Sequence, residues 1–457
     1  MRRALAVCAL AAAAAGCGTL PTINPDMDAR TSRPVRLEGA RGPLSAQQSR
    51  ATLARLASDG APTSIFERHL AVEEAVVGTP LVVGNKVVLL QDGPATYRAM
   101  FDAIAAAKQH VHMETYIIED DEVGQKFAAA LIAKQAEGVQ VRLVYDSVGA
   151  GHVPREFFER LAAGGVSVLE FNPVNPLTAR NGWEVNQRDH RKLLVVDGRV
   201  AFVGGINISS VYSGGSFSAA SKRRPDGGPQ WRDTHLMVEG PVVADFQRLF
   251  LATWEKQGGA SLPARDDFPP PLARGAEVVR AIGSSPDEPF SLIYATLLSA
   301  IGAAETSVHL TNAYFVPDPQ LLAALMAAAA RGVDVRLILP GHTDSWLVFH
   351  AGRSYYAQLL AGGVKIHERD NALLHAKTAV IDGVWSTVGS TNLDWRSFLY
   401  NDEVNAVVLG PEFGARMDAV FDADVAASTL VTAESWSRRP ISDHAREFAA
   451  RLWAYGL

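Results

Sequence analysis

The sequence predicts an α/β fold of two similar domains, each a mixed β-sheet flanked by helices, with one shared site at their pseudo-twofold interface. Short β-rich runs alternate with helical runs along the chain. The pattern H-x-K-x4-D-x6-G-[GS]-x-N occurs twice, and runs around it are repeated as well. The chain has 457 residues, of which 48% are hydrophobic, so it is long enough to build two cores.

The N-terminus, residues 1–17, is expected to be a signal peptide that ends in a lipobox. Arg2 and Arg3 precede an apolar run over residues 4–15, which is too short to span a bilayer, and the run ends in A-G-C. We therefore expect Cys17 to carry the lipid of an exported, membrane-anchored bacterial lipoprotein, at the periplasmic face of the inner or outer membrane. An ordinary signal peptide, cleaved at an A-x-A-like site, is the alternative.

The rest of the chain is divided by composition. Residues 18–63 are rich in Pro, Gly, Arg and Ser, and we expect a tether and an irregular lead-in there. Residues 64–256 form the predicted N-terminal domain. Residues 257–275 contain three consecutive prolines and are expected to be a linker, which leaves residues 276–457 for the C-terminal domain.

Each element of the N-terminal domain is predicted from its periodicity and its flanking turn residues. Strands are expected at residues 111–118, 139–145, 166–171, 193–197, 200–203 and 234–238, and helices at 123–136 and 156–163. The C-terminal domain repeats the pattern, since residues 308–315 echo 111–118 and residues 332–339 echo 138–145. The chain is therefore expected to be one domain duplicated.

The repeated motif places a histidine and a lysine two residues apart on a strand. The pairs are His190 with Lys192 and, 185 residues later, His375 with Lys377. Side chains at i and i+2 of a strand point to the same face, so each pair is directed at one spot. A single histidine of this kind is often a core residue, but two copies in register indicate chemistry.

These residue types fit exchange at a phosphodiester. The two lysines bind the non-bridging oxygens. One imidazole attacks phosphorus and forms a phosphohistidine, and the other protonates the leaving alkoxide and then deprotonates the acceptor. No metal and no other cofactor is expected, because the lysines supply the positive charge.

Further polar residues follow each histidine–lysine pair. Four are expected to bind the substrate phosphate: Gly205, Asn207, Ser390 and Asn392. The small residues allow close backbone approach, and the asparagines donate hydrogen bonds. Asp197 and Asp382 complete the motifs and are candidate catalytic residues. Bracing of the turn at the following glycine is the alternative for both.

The duplicated motif resembles the signature of the phospholipase D superfamily, and within it bacterial cardiolipin synthases. The resemblance runs from about residue 80 to about residue 430 and is carried by residues 114–116, 189–192, 204–207, 231–235, 312–315 and 389–394. It implies phosphatidyl transfer on glycerophospholipids, with His190 as the nucleophile and His375 as the general acid/base. It also implies that Asp233 and Glu403 each orient a histidine.

Two other activities remain open from the sequence. A phospholipase D hydrolase would use the same residues and release the headgroup alcohol, and so would a phosphodiester nuclease of the same superfamily. The net charge of −6 counts against the nuclease, because nucleic acid is bound largely through phosphate contacts. The expected partners are a glycerophospholipid donor, an alcohol or lipid acceptor and a membrane surface reached through the lipid anchor. No nucleic acid is expected, and the protein is expected to be a monomer.

Overall fold

The structure is a computed structural model that describes residues 35–60, 63–175, 184–215, 230–260 and 267–457. We call residues 35–260 the first half and residues 267–457 the second half. Strands of the first half are β1 Leu37–Gly39, β2 Gly42–Pro43, β3 Leu81–Gln91, β4 His110–Thr115, β5 Gln140–Asp146, β6 Ser167–Phe171, β7 Arg188–Asp189, β8 Lys192–Val196, β9 Val200–Gly204, β10 Trp231–Arg232 and β11 Thr234–Glu239. Its helices are α1 Ala46–Ser58, α2 Leu70–Val77, α3 Asp92–Ala106, α4 Glu122–Ala136, α5 Arg155–Ala163 and α6 Val243–Lys256.

The second half is built from a similar series. Its strands are β12 Glu277–Ser284, β13 Ser307–Asn312, β14 Asp334–Pro340, β15 Lys365–Arg369, β16 Leu373–Leu374, β17 Lys377–Ile381, β18 Trp385–Gly389, β19 Asn401–Leu409 and β20 Thr429–Val431. Its helices are α7 Leu292–Ala303, α8 Pro319–Ala330, α9 Trp346–Arg353, α10 Tyr356–Ala361, α11 Trp395–Leu399, α12 Pro411–Ala426, α13 Ala433–Ser437 and α14 Ile441–Arg451. Among the helices of the described ranges, none has the length and apolar character needed to cross a bilayer.

Each half contains a mixed sheet with the same strand directions. In the first half β4, β5 and β6 are parallel, and β8, β9, β11 and β3 follow antiparallel. In the second half β13, β14 and β15 are parallel, and β17, β18, β19 and β12 follow antiparallel. The predicted α/β fold, with two similar domains of mixed sheet and flanking helices, is confirmed.

Strand β3 joins the two sheets. Its C-terminal part pairs with β11 of the first half, and its N-terminal part pairs with β12 of the second half. Behind this joint lies an apolar layer to which both halves contribute, including Val203 and Leu236 from one and Val388 and Ala406 from the other. The large shared core fixes one half against the other, because close-packed interiors resist displacement.

Two short strand pairs cross between the halves and matter most for the site. Strand β7, directly before His190, pairs in parallel with the start of β19. Strand β10 pairs in parallel with β16, which directly precedes His375. Each histidine therefore follows a strand that is bound to the opposite half, and this arrangement has the pseudo-twofold character that the repeat predicts.

The predicted lead-in differs from the structure. Residues 37–58 are not irregular: they form the β1–β2 hairpin and the helix α1, which begins with a capping box between Ser45 and Gln48. Leu37 and Leu56 are buried in the core of the second half, and so are Ile65 and Leu70, which the predicted boundary at residue 64 gives to the first domain. The short strands and the few apolar residues of α1 give too weak a periodicity to be recognised in the sequence. The predicted signal peptide with Cys17 lies outside the described residues, as do parts of the predicted tether and linker.

Candidate active site

The crossed strand pairs bring the two motifs to one buried site. The backbone N–H of His190 donates to the carbonyl of Asp402 at 2.9 Å, and that of His375 donates to the carbonyl of Arg232 at 2.8 Å. The side chains of His190, Lys192, His375 and Lys377 are all buried. Apart from burial, the charge of Lys377 lowers the pKa of His190 and that of Lys192 lowers the pKa of His375, so the motifs act on each other.

Each histidine is held by a carboxylate from the other half. The Nδ1 of His190 lies 3.0 Å from Oε1 of Glu403, and the Nδ1 of His375 lies 2.7 Å from Oδ2 of Asp233. The register of the crossed strands explains both contacts. Glu403 comes directly after Asp402, which pairs with the His190 backbone, and Asp233 comes directly after Arg232, which pairs with the His375 backbone. Asp233 and Glu403 thus stand where the resemblance places them, each across the interface.

The Glu403 contact defines which nitrogen of His190 carries the proton. Carboxylate oxygens accept hydrogen bonds, so Nδ1 carries the proton and the lone pair is on Nε2. Burial lowers the pKa of His190 to about 4, against the opposing charge of Glu403, and the imidazole is therefore neutral near pH 7. Burial alone would raise the pKa of Glu403, but His190 and Lys192 bring it down to about 2. The pair is a neutral imidazole on an ionised carboxylate.

The two lysines lie beside the histidines, and burial lowers the pKa of each ammonium group. The Nζ of Lys192 donates to the carbonyl of His190 at 2.6 Å, and that of Lys377 lies 3.0 Å from Nδ1 of His375. Burial lowers the pKa of Lys192 to about 7 and that of Lys377 to about 8. An anion bound between the two lysines would raise both pKa values again, because an opposite charge favours the ammonium form.

Two of the predicted phosphate ligands, Gly205 and Ser390, lie against the two carboxylates. The Ser390 hydroxyl donates to Oε2 of Glu403. A Cβ at Gly205, the corresponding position of the first motif, would meet Oδ1 of Asp233 at 2.2 Å. Gly205 thus makes room for its carboxylate and Ser390 holds its carboxylate by a hydrogen bond, and phosphate binding by either residue stays a prediction.

The asparagines lie beside the histidines. The Nδ2 of Asn207 donates to the Tyr212 hydroxyl at 3.2 Å, and its Oδ1 accepts from the backbone N–H of Ile117 at 3.2 Å. The backbone N–H of Asn392 donates to Oγ of Ser397 at 3.2 Å, and its buried Oδ1 has no hydrogen-bond partner in the described part of the chain. The unpartnered atom of Asn392 is an acceptor, whereas a phosphate needs donors, so phosphate binding by Asn207 and by Asn392 stays a prediction.

Asp197 and Asp382 are not at the site, and their assignment as catalytic residues is wrong. They lie at the far ends of β8 and β17 from the lysines and have positive φ angles of 54° and 52°. The Asp197 carboxylate accepts from the backbone N–H groups of residues 108, 109 and 110, at 2.8, 2.7 and 2.9 Å. The Asp382 carboxylate accepts from those of residues 305, 306 and 307 and from the Thr63 hydroxyl. Both brace turns.

Aromatic residues that the motif does not contain surround the histidines. The Tyr212 hydroxyl lies 3.2 Å from Nδ1 of His375, and the Trp231 ring is centred 5.1 Å from the His375 ring. Tyr116 lies 5.0 Å from His190, and Tyr314 lies 6.4 Å from His375. Tyr116 and Tyr314 occupy matching places in the repeat, and this repetition is the feature of the sequence that indicates them. Tyr212 has no aromatic counterpart in the second motif, so the repeat could not reveal it.

Among the described residues, one group of side chains has the spacing of metal ligands, and it lies away from the two histidine–lysine pairs. His110, His112 and Asp267 come together at the end of β4 that pairs with Val196, remote from Lys192. The Arg142 guanidinium bonds Nε2 of His112 and lies 3.9 Å from Oδ1 of Asp267. A cation would meet this guanidinium, so the group does not suit a metal ion.

Sequence comparison identifies the family. Residues 100–213 and 297–425 match the family described as cardiolipin synthase, PLD-like domain. The chain belongs to this family. A cardiolipin synthase of Geobacillus kaustophilus is 36% identical over 375 residues, which are 82% of this chain and 72% of that protein. A cardiolipin synthase of Listeria monocytogenes is 35% identical over 381 residues, which are 82% of this chain and 76% of that protein.

Membership in the cardiolipin synthase family makes the protein an enzyme of the phospholipase D superfamily, with phosphatidyl transfer of the cardiolipin-synthase type as its activity. Its fold is similar to a solved phosphatidylserine synthase of Haemophilus influenzae, with a TM-score of 0.61 over 84% of this chain and 99% of that one. The identity to that structure is 13%, so this likeness concerns the fold alone.

Proposed function

We propose that the enzyme transfers a phosphatidyl group from a glycerophospholipid to a hydroxyl group of a second lipid or of an alcohol, through a phosphohistidine on His190. The observation that carries the proposal is the pair of histidine–carboxylate contacts across the interface, each with a buried lysine beside it. One site thus holds a nucleophile, an acid/base and two charges for the phosphate.

In the first step Nε2 of His190 attacks phosphorus, and the bond from phosphorus to the headgroup oxygen breaks. The leaving alkoxide takes a proton from Nε2 of His375. Burial lowers the pKa of His375 in the free enzyme, and the negative charge of the bound phosphodiester raises it again. His375 therefore carries the proton that the leaving group needs. Lys192 and Lys377 stabilise the charge on the five-coordinate phosphorus.

In the second step the acceptor hydroxyl gives its proton back to Nε2 of His375, and its oxygen attacks phosphorus. The P–N bond to His190 breaks, and the neutral imidazole is restored. His375 is therefore an imidazolium before the first step and after the second, and Asp233 stabilises that form, as the orienting carboxylate of a catalytic triad does. The net change exchanges one alcohol for another on phosphorus.

The test is the product spectrum with phosphatidylglycerol vesicles, analysed by mass spectrometry. Transfer to a second phosphatidylglycerol gives a diphosphatidylglycerol and free glycerol. Formation of phosphatidic acid alone would show that water is the acceptor and that the enzyme is a hydrolase. His190→Ala and His375→Ala are the controls, and a variant of either kind with wild-type turnover would refute the mechanism.

We also propose that the enzyme works at the periplasmic side of a membrane, held by a lipid on Cys17. The support is the basic start, the apolar run and the A-G-C sequence of residues 1–17. A tether would keep the site at a high effective concentration near its lipid substrate. One chain supplies both halves of the site, which supports a monomer as the working unit.

A further inference from the structure

We propose that the outward face of α14, with the adjoining tryptophans, is the surface through which the enzyme docks on an anionic lipid bilayer. This inference rests on the proposed function, because it places the active-site entrance against the substrate. It concerns a part of the chain that is remote in sequence from the proposed lipid on Cys17. It gives the enzyme a second, non-covalent contact with the membrane.

Helix α14, together with Leu452 directly after it, has its large apolar side chains on the side that faces solvent. Ile441, Phe448 and Leu452, spaced seven and four residues apart, are 86%, 69% and 69% exposed. The opposite side, with Glu447 and Ala450, is buried against the protein. A surface helix of a globular protein normally has the reverse pattern, with its polar side in water. A contiguous exposed apolar stripe of this kind marks an interaction surface.

Two tryptophans extend the stripe. Trp453 follows the helix and is 54% exposed, and Trp346 opens α9, which packs along α14, and is also 54% exposed. Tryptophan is enriched at the boundary between water and hydrocarbon, where its ring sits at headgroup level. We call Trp346, Ile441, Phe448, Leu452 and Trp453 together the docking face.

Residues that adjoin the docking face in the sequence contact the surroundings of the active site at two places. Trp346 follows shortly after Asp344, which accepts from the Tyr314 hydroxyl at 2.7 Å, and the Tyr314 ring is 6.4 Å from His375. On the other side, the carbonyl of Leu457 accepts from the backbone N–H of Arg396 at 2.7 Å. The Arg396 guanidinium in turn bonds Asn186, four residues before His190.

The arginines around the docking face suit the phosphates of an anionic bilayer. Residues 438–457 contain four arginines and two acidic residues, in a chain whose net charge is −6. The side chains of Arg438 and Arg446 are 76% and 55% exposed and pair with Glu434 and Asp443. Exposed ion pairs of this kind are weak, so each guanidinium can exchange its carboxylate for a lipid phosphate. Basic residues next to an apolar stripe are the pattern of helices that lie in the interface of anionic membranes.

The experiment uses the full-length chain with Cys17→Ser, which removes the proposed lipid. Co-sedimentation is measured with vesicles of phosphatidylglycerol and phosphatidylcholine in equal parts, and with phosphatidylcholine alone. We expect the triple variant Ile441→Ser, Phe448→Ser, Leu452→Ser to lose about tenfold in affinity for the mixed vesicles. Leu272→Ser with Leu430→Ser, at two exposed apolar positions outside the docking face, is the matched control and keeps wild-type binding. Thermal unfolding verifies that every variant is folded.

Activity separates failure of this inference from failure of the proposed function. A short-chain phosphatidylglycerol below its micellar concentration tests the site without a membrane, and there the triple variant is expected to match the wild type. On vesicles the triple variant is expected to be slower. Equal vesicle binding by both proteins overturns the docking face, whatever their activity. Loss of a dimer in sedimentation velocity, with vesicle binding unchanged, assigns the face to a second copy and also overturns it.

Discussion

The Glu403 carboxylate, from the second half of the chain, lies 3.0 Å from Nδ1 of His190, from the first half. The contact is possible because β7 pairs with the start of β19, so that the backbone directs Glu403 across the interface. Asp233 reaches His375 in the opposite direction. Neither half therefore has a complete catalytic group of its own, and the two carboxylates are expected to have separable effects.

Glu403→Gln and Asp233→Asn are each expected to lower kcat on phosphatidylglycerol by about 10²–10⁴, because an orienting carboxylate fixes the tautomer of its histidine. A donor with a nitrophenol headgroup distinguishes the two, since nitrophenolate leaves without a general acid. In rapid-mixing experiments Asp233→Asn is expected to keep the burst of nitrophenol, and Glu403→Gln is expected to lose it. A burst that survives in Glu403→Gln and disappears in Asp233→Asn would reverse the roles of the two histidines.

The pH dependence of kcat/KM follows from the buried groups of the free enzyme. Attack needs neutral His190, which is lost as the pH falls through its pKa of about 4. Protonation of the leaving group needs the imidazolium form of His375, whose pKa burial lowers in the free enzyme. Phosphate binding needs protonated Lys192 and Lys377, whose protons are lost as the pH rises through about 7 and about 8. We therefore expect a bell-shaped profile with a plateau on the acid side of neutrality, measured with a water-soluble short-chain donor.

The acid limb of that profile has a specific control. The charge of Glu403 raises the pKa of His190, so Glu403→Gln is expected to move the acid limb of the residual activity to lower pH. Circular dichroism at each pH verifies that the protein stays folded. An acid limb near the ordinary histidine pKa of about 6.5 would contradict the burial of the nucleophile.

Asp197→Asn and Asp382→Asn are expected to affect stability and not chemistry. Each carboxylate accepts three or more hydrogen bonds at a turn, so replacement is expected to lower the free energy of unfolding by about 1–3 kcal/mol. Urea unfolding measures the loss, and kcat is compared at a temperature where each variant is folded. A folded variant with a kcat reduced as far as in His190→Ala would restore the aspartates to the catalytic set.

These two aspartates also show where the sequence is sufficient and where it is not. The repeat predicts the two domains, and the i, i+2 spacing correctly places His190 beside Lys192 and His375 beside Lys377. The sequence pattern of an aspartate before a glycine at a strand end, however, is the same whether the carboxylate binds substrate or accepts backbone hydrogen bonds. Glu403 and Asp233 each reach the histidine of the opposite half because of strand pairs only two residues long, and runs this short show no periodicity in the sequence. Ser390 and Gly205 occupy one motif position and differ in role because the carboxylates behind them differ.

The proposed lipid on Cys17 gives the last prediction. Cys17→Ser is expected to shift the protein from the membrane to the soluble fraction, or to block its processing, while the purified protein keeps wild-type turnover of a short-chain donor. The reason is that anchoring by acyl chains depends on their number, and a lipidated N-terminus carries several. Fractionation at high salt isolates the effect of the lipid anchor, because salt weakens any attraction between lipid and the arginines around the docking face. A Cys17→Ser protein that is processed normally and fractionates like the wild type at high salt would show that residues 1–17 are a conventional signal peptide.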